Sequence, residues 1–407
     1  MNETTAKLGK QNRIKVGYVM HVMQVAGAEV LVKQIIERLS DSIEATVFCL
    51  DSLGKLGEEL VDKGVSVVVL NRQPGLDFGV AKRLAMEVRE KQIEVLHAHQ
   101  YTPFFYTALA RLRYGVQSKV IFTEHGRHYP DIVSWKRRLS NRLLLQRYAD
   151  ITTACCDFST EALKTIEGFP KAYTLNNGVE IETLEPRGDH PAVLARRQAL
   201  GLDPNRPYAA SIARFHPVKD HATLIRAWAR VHQQLPEARL LLVGDGEERD
   251  NIAQLIADLS NADLSKQYNS SDNNQTNGNP ADSTLNDAIQ FLGIRNDVPE
   301  ILKAIDVFTL TSVSEAASLT LLEAMASECA SVVTDVGGNA EHLREGIDGY
   351  LVPRADDKKL AERLVKLLSN PNKVKQMGQS AREQVCEKFD LNDAVEQYAD
   401  LYQKLAS

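Results

Sequence analysis

The sequence predicts an α/β protein made of two parallel-sheet domains. Strand-like apolar runs alternate with helical stretches, the pattern of βαβ units. The alternation runs twice along the chain, and a proline-broken stretch separates the two series. The length of 407 residues, with 43% hydrophobic content, is enough for two cores of ordinary size.

Residues 13–20 read as the first buried strand. A loop from His21 to Gly27 leads to a helix with Val30, Leu31, Ile35, Ile36 and Leu39 on one face. Further strand-like runs cover 45–50, 65–70, 95–99, 120–123, 151–154 and 172–175, so the first domain is assigned to 1–185. Pro186, Pro191, Pro204 and Pro207 place an interdomain linker at 186–207. The second series has strands at 208–213, 239–243, 288–292, 307–310 and 331–334, within a domain of 208–385. Residues 386–407 are read as a C-terminal helix. Residues 261–287 hold a run of Asn, Ser, Asp and Thr with almost nothing to bury, and are expected to be a disordered surface insertion. The Asn-x-Ser/Thr matches there, at Asn269 and Asn274, are chance occurrences in a cytoplasmic protein.

Composition excludes several classes. No apolar run approaches the eighteen or more residues of a membrane-spanning helix, and the N-terminus lacks a signal-peptide apolar region. A cytoplasmic location is expected. The five cysteines show no metal-binding spacing, and Cys155 and Cys156 are adjacent, so reduced structural thiols are expected. His97 and His99 lack a third metal ligand. The net charge is −6, and the basic stretch lacks a nucleic-acid-reading motif, so no nucleic-acid partner is expected. Nine Lys/Arg fall within 111–147 against Glu124 and Asp131. Residues 134–147 mix these cations with Trp135, Leu139, Leu143 and Leu144. Two readings stand: peripheral contact with the anionic inner face of the plasma membrane, or a solvated helix packing its leucines inward.

The most informative stretch is Ser314-Glu315-Ala316-Ala317-Ser318-Leu319-Thr320-Leu321-Leu322-Glu323-Ala324-Met325-Ala326. Glu315 and Glu323 stand eight positions apart, roughly 80° of net rotation on one helix. A Glu at the helix entrance and one two turns in can then face one cleft. Glu323 lies in an apolar face and needs donors, which a ligand's hydroxyls would supply. The plainer reading is a capping Glu315 and a satisfied or exposed Glu323. Strand-like runs precede and follow this helix, and the second ends in Gly337-Gly338-Asn339-Ala340-Glu341. Both loops lie at carboxyl ends of strands, where open α/β sheets bind ligands. The glycines let backbone N–H groups approach a phosphate, and helix N-termini add a favourable dipole.

The E-x7-E, strand, G-G-x-x-E order resembles the donor site of retaining GT-B glycosyltransferases of family 4 (glycosyl transferases group 1). Ala213-Arg214-Phe215-His216-Pro217-Val218-Lys219 resembles that family's diphosphate-gripping segment, and Leu241-Leu-Val-Gly244-Asp245-Gly246 its second glycine turn. Phe291-Leu-Gly293 and Asn176-Asn177-Gly178-Val179 match other landmarks. The resemblance implies two Rossmann-like domains facing an interdomain cleft, the first on the acceptor side and the second binding nucleotide-sugar. It implies that the C-terminal helix crosses back to the first domain.

The implied activity moves a sugar from a nucleotide-diphosphate sugar to a glycan or lipid-linked acceptor, in cell-surface polysaccharide biosynthesis. No Asp-x-Asp occurs, so no metal is expected; Arg214 and Lys219 would balance the diphosphate, helped by backbone N–H groups at Ser318, Leu319, Thr320 and the Gly337 loop. Alone, those two residues would read as ordinary surface cations. By the same resemblance Glu323 accepts from the nucleotide ribose, and Glu315 faces the donor sugar or diphosphate. His125 contacts the donor sugar or reacting centre, against the plainer reading of a capping His. Gly27 and Gly244 sit near the diphosphate or acceptor. The chain departs from the family's glycine-rich entry, with Ala316, Ala317 and Ser318 after the first glutamate. Two rival readings are a sugar-nucleotide epimerase on the same scaffold and a non-catalytic nucleotide-sugar-binding protein.

Overall fold

The computed structural model describes residues 13–126, 134–270 and 284–407. The chain divides into two compact units, Met1–Asn177 with Asn392–Ser407, and Gly178–Leu391. In the first unit, β1 (Ile14–Val22), β2 (Ile43–Ser52), β3 (Ser66–Val69), β4 (Val95–His99), β5 (Lys119–Glu124), β6 (Ile151–Ala154) and β7 (Tyr173–Thr174) form one sheet in the order β3-β2-β1-β4-β5-β6-β7. In the second, β8 (Tyr208–Ile212), β9 (Arg239–Val243), β10 (Ile289–Gly293), β11 (Val307–Leu310), β12 (Ala330–Thr334) and β13 (Gly349–Val352) run in the order β10-β9-β8-β11-β12-β13. Every strand pair is parallel.

The central strands are buried along their length because helices cover both faces of a parallel sheet. All residues of β4, β8, β9, β11 and β12 are buried. Alternation then divides the second sheet between two cores. Ala209, Leu240, Leu242, Val307 and Val332 pack on one side, against Trp228 and Leu364. Tyr208, Ala210, Leu241, Phe308 and Val333 pack on the other, against Leu322 and Met325. Strand order reverses direction between β1 and β4 and again between β8 and β11. Loops leaving the carboxyl ends of such neighbours diverge and open a crevice.

Several sequence expectations change. Residues 186–207, expected as a linker, belong to the second unit and contain the helix His190–Ala199. Asp189 caps that helix by accepting the Ala192 amide at 3.1 Å, and the buried Arg197 anchors it to Ala304 O at 2.8 Å and Asp306 at 2.7 Å. The units divide at 177/178 and 391/392. There Val179 bridges a single stretch of the C-terminal segment in parallel, donating to Phe389 O at 2.9 Å and accepting from Leu391 N at 3.1 Å. The helix Leu391–Ala406, from Asn392 onward, belongs to the first unit.

The segment 261–287, expected to be disordered throughout, is helical over its first ten residues. These continue the helix Arg249–Ser270, seated by the buried Ile252 and Ile256; residues 271–283 lie outside the described residues. Strand β13 was not anticipated from the sequence.

Candidate active site

The second unit builds its site from the loops after β8, β9, β11 and β12. Backbone hydrogen bonds stitch these loops together. Phe215 donates to Asp245 O at 2.9 Å, Val313 to Val218 O at 2.8 Å, and Gly338 to Glu315 O at 3.2 Å. Gly244 donates to Gly293 O at 2.8 Å, tying in the end of β10. Two glycines make the stitching possible. Gly337 has φ +53°, and a Cβ there would lie 1.7 Å from Glu315 O. Gly244 has φ +133°, with a Cβ 2.1 Å from Ala213 O. Only glycine permits such backbone approach. Both glycines therefore bring protein backbones together. The Gly338 amide, expected to be free for a phosphate, is spent on Glu315 O.

On this platform Lys219 and Glu315 meet in an ion pair, although 96 positions separate them in sequence. Local chemistry aims each one. His216 accepts the Val218 amide at 3.1 Å and Pro217 opens the short turn that carries Lys219. Thr311 donates to the carbonyls of Lys219 and Asp220, each at 3.0 Å. Ser312 donates to Glu315 Oε1 at 2.5 Å, and Thr334 donates to Ser312 O at 2.7 Å. Arg214 is exposed and has no ion-pair partner among the described residues.

The helix following β11 spans Leu319–Ala326, so Glu315 stands in the loop four residues before it. The expected eight-residue helical phase between the two glutamates does not apply. Ser318 caps the helix through Leu321 N at 3.3 Å, while the amides of Leu319 and Thr320 have no partner among the described residues. Glu323 sits midway along the helix. Among the described residues nothing hydrogen-bonds its carboxyl, and desolvation pushes its pKa up to about 7.

The first unit carries Gly27 and His125, at strand ends on either side of β4. Gly27 opens the helix Gly27–Arg38, whose N-cap Ala26 offers no side-chain cap. His125 follows β5, and its Nε2 lies 2.7 Å from His99 Nδ1. Burial pushes the His125 pKa down to about 4, so the ring is neutral at pH 7. His97 and His99, weaker candidates in the sequence, join it in one cluster, with ring centroids 4.0 Å apart for His97–His99 and 5.0 Å for His99–His125. Among the described residues no group of three or more His, Cys, Asp or Glu side chains is spaced to hold a metal ion.

The basic stretch is the helix Trp135–Leu143 followed by the short turn Leu145–Tyr148; Leu145 in the turn packs inward, but Leu139 and Leu143 of the helix do not. Arg137 reaches the buried Glu167 at 2.7 Å, and the buried Asn141 donates to Glu167 O and accepts from Tyr101, each at 2.8 Å. Anchoring these polar residues turns the opposite face outward. Trp135, Leu139 and Leu143, spaced i, i+4 and i+8, are 69%, 48% and 59% exposed. No helix among the described residues is long and apolar enough to cross a membrane.

Comparison with known proteins agrees with this architecture. Residues 206–370 match the family model described as glycosyl transferases group 1, and residues 25–183 match glycosyltransferase family 4. The chain is 26% identical to N-acetyl-alpha-D-glucosaminyl L-malate synthase of Bacillus anthracis over 332 residues, 81% of this chain and 79% of that protein. It is 25% identical to the UDP-Gal:alpha-D-GlcNAc-diphosphoundecaprenol alpha-1,3-galactosyltransferase of Escherichia coli over 406 residues, 96% of this chain and 97% of that one. Its fold superimposes on the Anabaena protein HepE, solved with UDP and glucose, with a TM-score of 0.79, 21% identity, and coverage of 96% of this chain and 100% of that one. With the two family models spanning most of its length, the chain belongs to the group 1, family 4 glycosyltransferases and has their GT-B fold.

Proposed function

We propose that this glycosyltransferase moves a hexose from a uridine-diphosphate sugar to a lipid-linked acceptor in cell-surface polysaccharide assembly. It does so with retention and without a metal ion. The observation that carries the reading is the Glu323 carboxyl, desolvated and unpartnered on the helix after β11. A half-buried, desolvated carboxylate without donors is costly, and a ribose supplies two hydroxyl donors. Arg214, Lys219 and the Leu319 and Thr320 amides supply positive charge for the diphosphate without recourse to a cation. The Glu315 carboxylate is engaged by Lys219 and Ser312, which suits positioning of the donor rather than nucleophilic attack. Same-face attack assisted by the leaving phosphate then gives retention. His125 contributes a neutral imidazole to the reacting centre.

The UDP held by HepE in its crystal structure and the UDP-Gal named for the Escherichia coli relative support the choice of base. The diphosphoundecaprenol named for that relative supports a lipid-linked acceptor. So does the outward face of Trp135, Leu139 and Leu143, flanked by the exposed cations Lys136, Arg138, Arg142 and Arg147, which matches an anionic bilayer surface in apolarity and charge.

The test is thermal stabilisation by UDP, GDP and ADP in EDTA, for the wild type and Glu323→Ala. A ligand at a hundred times its dissociation constant adds about 2.7 kcal/mol. A shift with UDP alone that vanishes in the variant is expected. Stabilisation that requires a divalent ion, or none by any nucleotide, would sink the reading.

A further inference from the structure

The face of the first sheet opposite its apolar core is lined with imidazoles and hydroxyls. Alternation explains why. Leu96 and Ala98 of β4 enter the core cluster with Phe48 and Phe122, so His97 and His99 point to the other side. There His97 is held at both ring nitrogens, Nδ1 by Tyr402 at 2.8 Å and Nε2 by Thr123 at 2.7 Å. Thr123 is itself fixed by Thr153 at 2.7 Å. The His97 ring lies against that of His99, and His99 Nδ1 meets His125 Nε2 at 2.7 Å. Among the described residues, His99 Nε2 and His125 Nδ1 have no hydrogen-bond partner, although both atoms are shielded from solvent.

Two ring nitrogens at this distance share one proton. Two protons would clash, and none would oppose two lone pairs. Burial holds both rings neutral. Only two arrangements remain. If His99 Nδ1 donates, His125 carries its proton on Nδ1 and offers a donor to a ligand. If His125 Nε2 donates, its Nδ1 is a lone pair and offers an acceptor, while His99 carries its proton on Nε2. Either way His99 sets the state of the one His125 nitrogen left for a ligand. His97, fixed on both sides, is the wall that keeps His99 in place.

We propose that His99 is a positioning residue for His125, occupying its Nε2 and matching its tautomer so that Nδ1 can donate to, or accept from, a group on the sugar. This rests on the reading of His125 as a substrate contact. Nothing in the E-x7-E region bears on it, because the pair lies wholly within the first unit.

The experiment combines nitrogen NMR of the full chain labelled with [15N]histidine and steady-state kinetics of His99→Leu and His99→Asn. The wild type should show a 15N–15N coupling across the His99–His125 hydrogen bond, absent in His99→Leu. The kcat of His99→Leu should fall on the order of 100-fold, the scale of a displaced hydrogen-bonding contact at the reacting centre, with the donor KM little changed. His99→Asn, which keeps a polar group near the Nδ1 position, should recover much of the loss. Absence of the coupling in the wild type, or an unaltered kcat in His99→Leu, overturns the proposal. Equal losses in both variants accompanied by a lowered Tm also overturn it, assigning His99 to folding alone. A wild type that shows the coupling yet transfers no sugar would overturn the role given to His125 and leave the pairing supported.

Discussion

Replacing Gly337 by alanine tests whether the strand-end loops of the second unit act as one platform. The added Cβ would fall 1.7 Å from Glu315 O, against the 3.0 Å below which real Cβ contacts essentially never lie. The two backbones must part by more than 1 Å, and neither is a flexible side chain. The φ of +53° adds a left-handed penalty of about 1 kcal/mol for alanine. Loss of the Gly338 N–H bond to Glu315 O costs about another 1 kcal/mol. Displacement of the Glu315 loop adds to this, while the stiffer unfolded chain returns about 0.5 kcal/mol. A net loss of about 2 kcal/mol lowers Tm by roughly 4–8 °C in a domain of this size. The larger effect is on the reaction. Moving Glu315 by about 1 Å breaks its contact with Lys219 and should cost roughly 100-fold in kcat/KM. Gly201→Ala is the control. Gly201 has φ +71° but nothing within 4 Å of an added Cβ, so it carries only the conformational penalty, about 0.5 kcal/mol net of the unfolded-chain return, and leaves turnover unchanged. Differential scanning calorimetry and donor turnover of the three proteins read both effects. A Gly337→Ala enzyme with wild-type turnover, or one no less stable than Gly201→Ala, would refute the reasoning.

Two further predictions concern charge. The Glu323 carboxyl titrates at about 7 when folded, against an ordinary 4.5. A raised carboxyl pKa means that the folded state holds the proton more tightly, so the associated stability is complete below about 4.5 and drains away as pH rises through 7. Ligand-free Tm should therefore fall over that window. The nucleotide-induced shift should grow over the same window, because the ionised carboxylate accepts from both ribose hydroxyls. Glu323→Gln should flatten both trends; a variant that keeps them would show that another group titrates. For the helix Trp135–Leu143, flotation with phosphatidylserine vesicles should capture the wild type at low salt and release it at high salt. The triple variant Trp135→Ser, Leu139→Ser, Leu143→Ser should stay in solution, and equal capture of both proteins would remove the membrane from the account.

Much of the architecture was legible in the local pattern. Mainly apolar runs separated by helical stretches mark β1 to β12, because helices must cover both faces of a parallel sheet. The four residues of β13, Gly349–Val352, were missed because so short a run before Pro353 carries no periodicity. The helix His190–Ala199 was hidden by the prolines around it. One of them, Pro191, sits in the first turn, where proline is tolerated.

The site was legible as a set of residue types and only partly as an arrangement. Glu315, Glu323, Arg214, Lys219 and Gly337 were recognised from motif order. The helical phase argued for the two glutamates fails because the helix starts at Leu319.

The sequence by itself determined the elements, their parallel pairing in two series, and the residue types placed at strand ends. These depend on side-chain periodicity and turn chemistry, which act over a few residues. Only the tertiary structure decided which groups spend their hydrogen bonds on one another. Lys219 finds Glu315 across 96 positions, His97 finds Tyr402 across 305, and Gly337 is required by the carbonyl of Glu315 rather than by a ligand. Partners so far apart in the chain share no local signal, because register and strand order bring them together only after the sheet has formed. The same ordering decided which face of the helix Trp135–Leu143 turns outward, since the buried Glu167 that claims Arg137 lies 30 positions away.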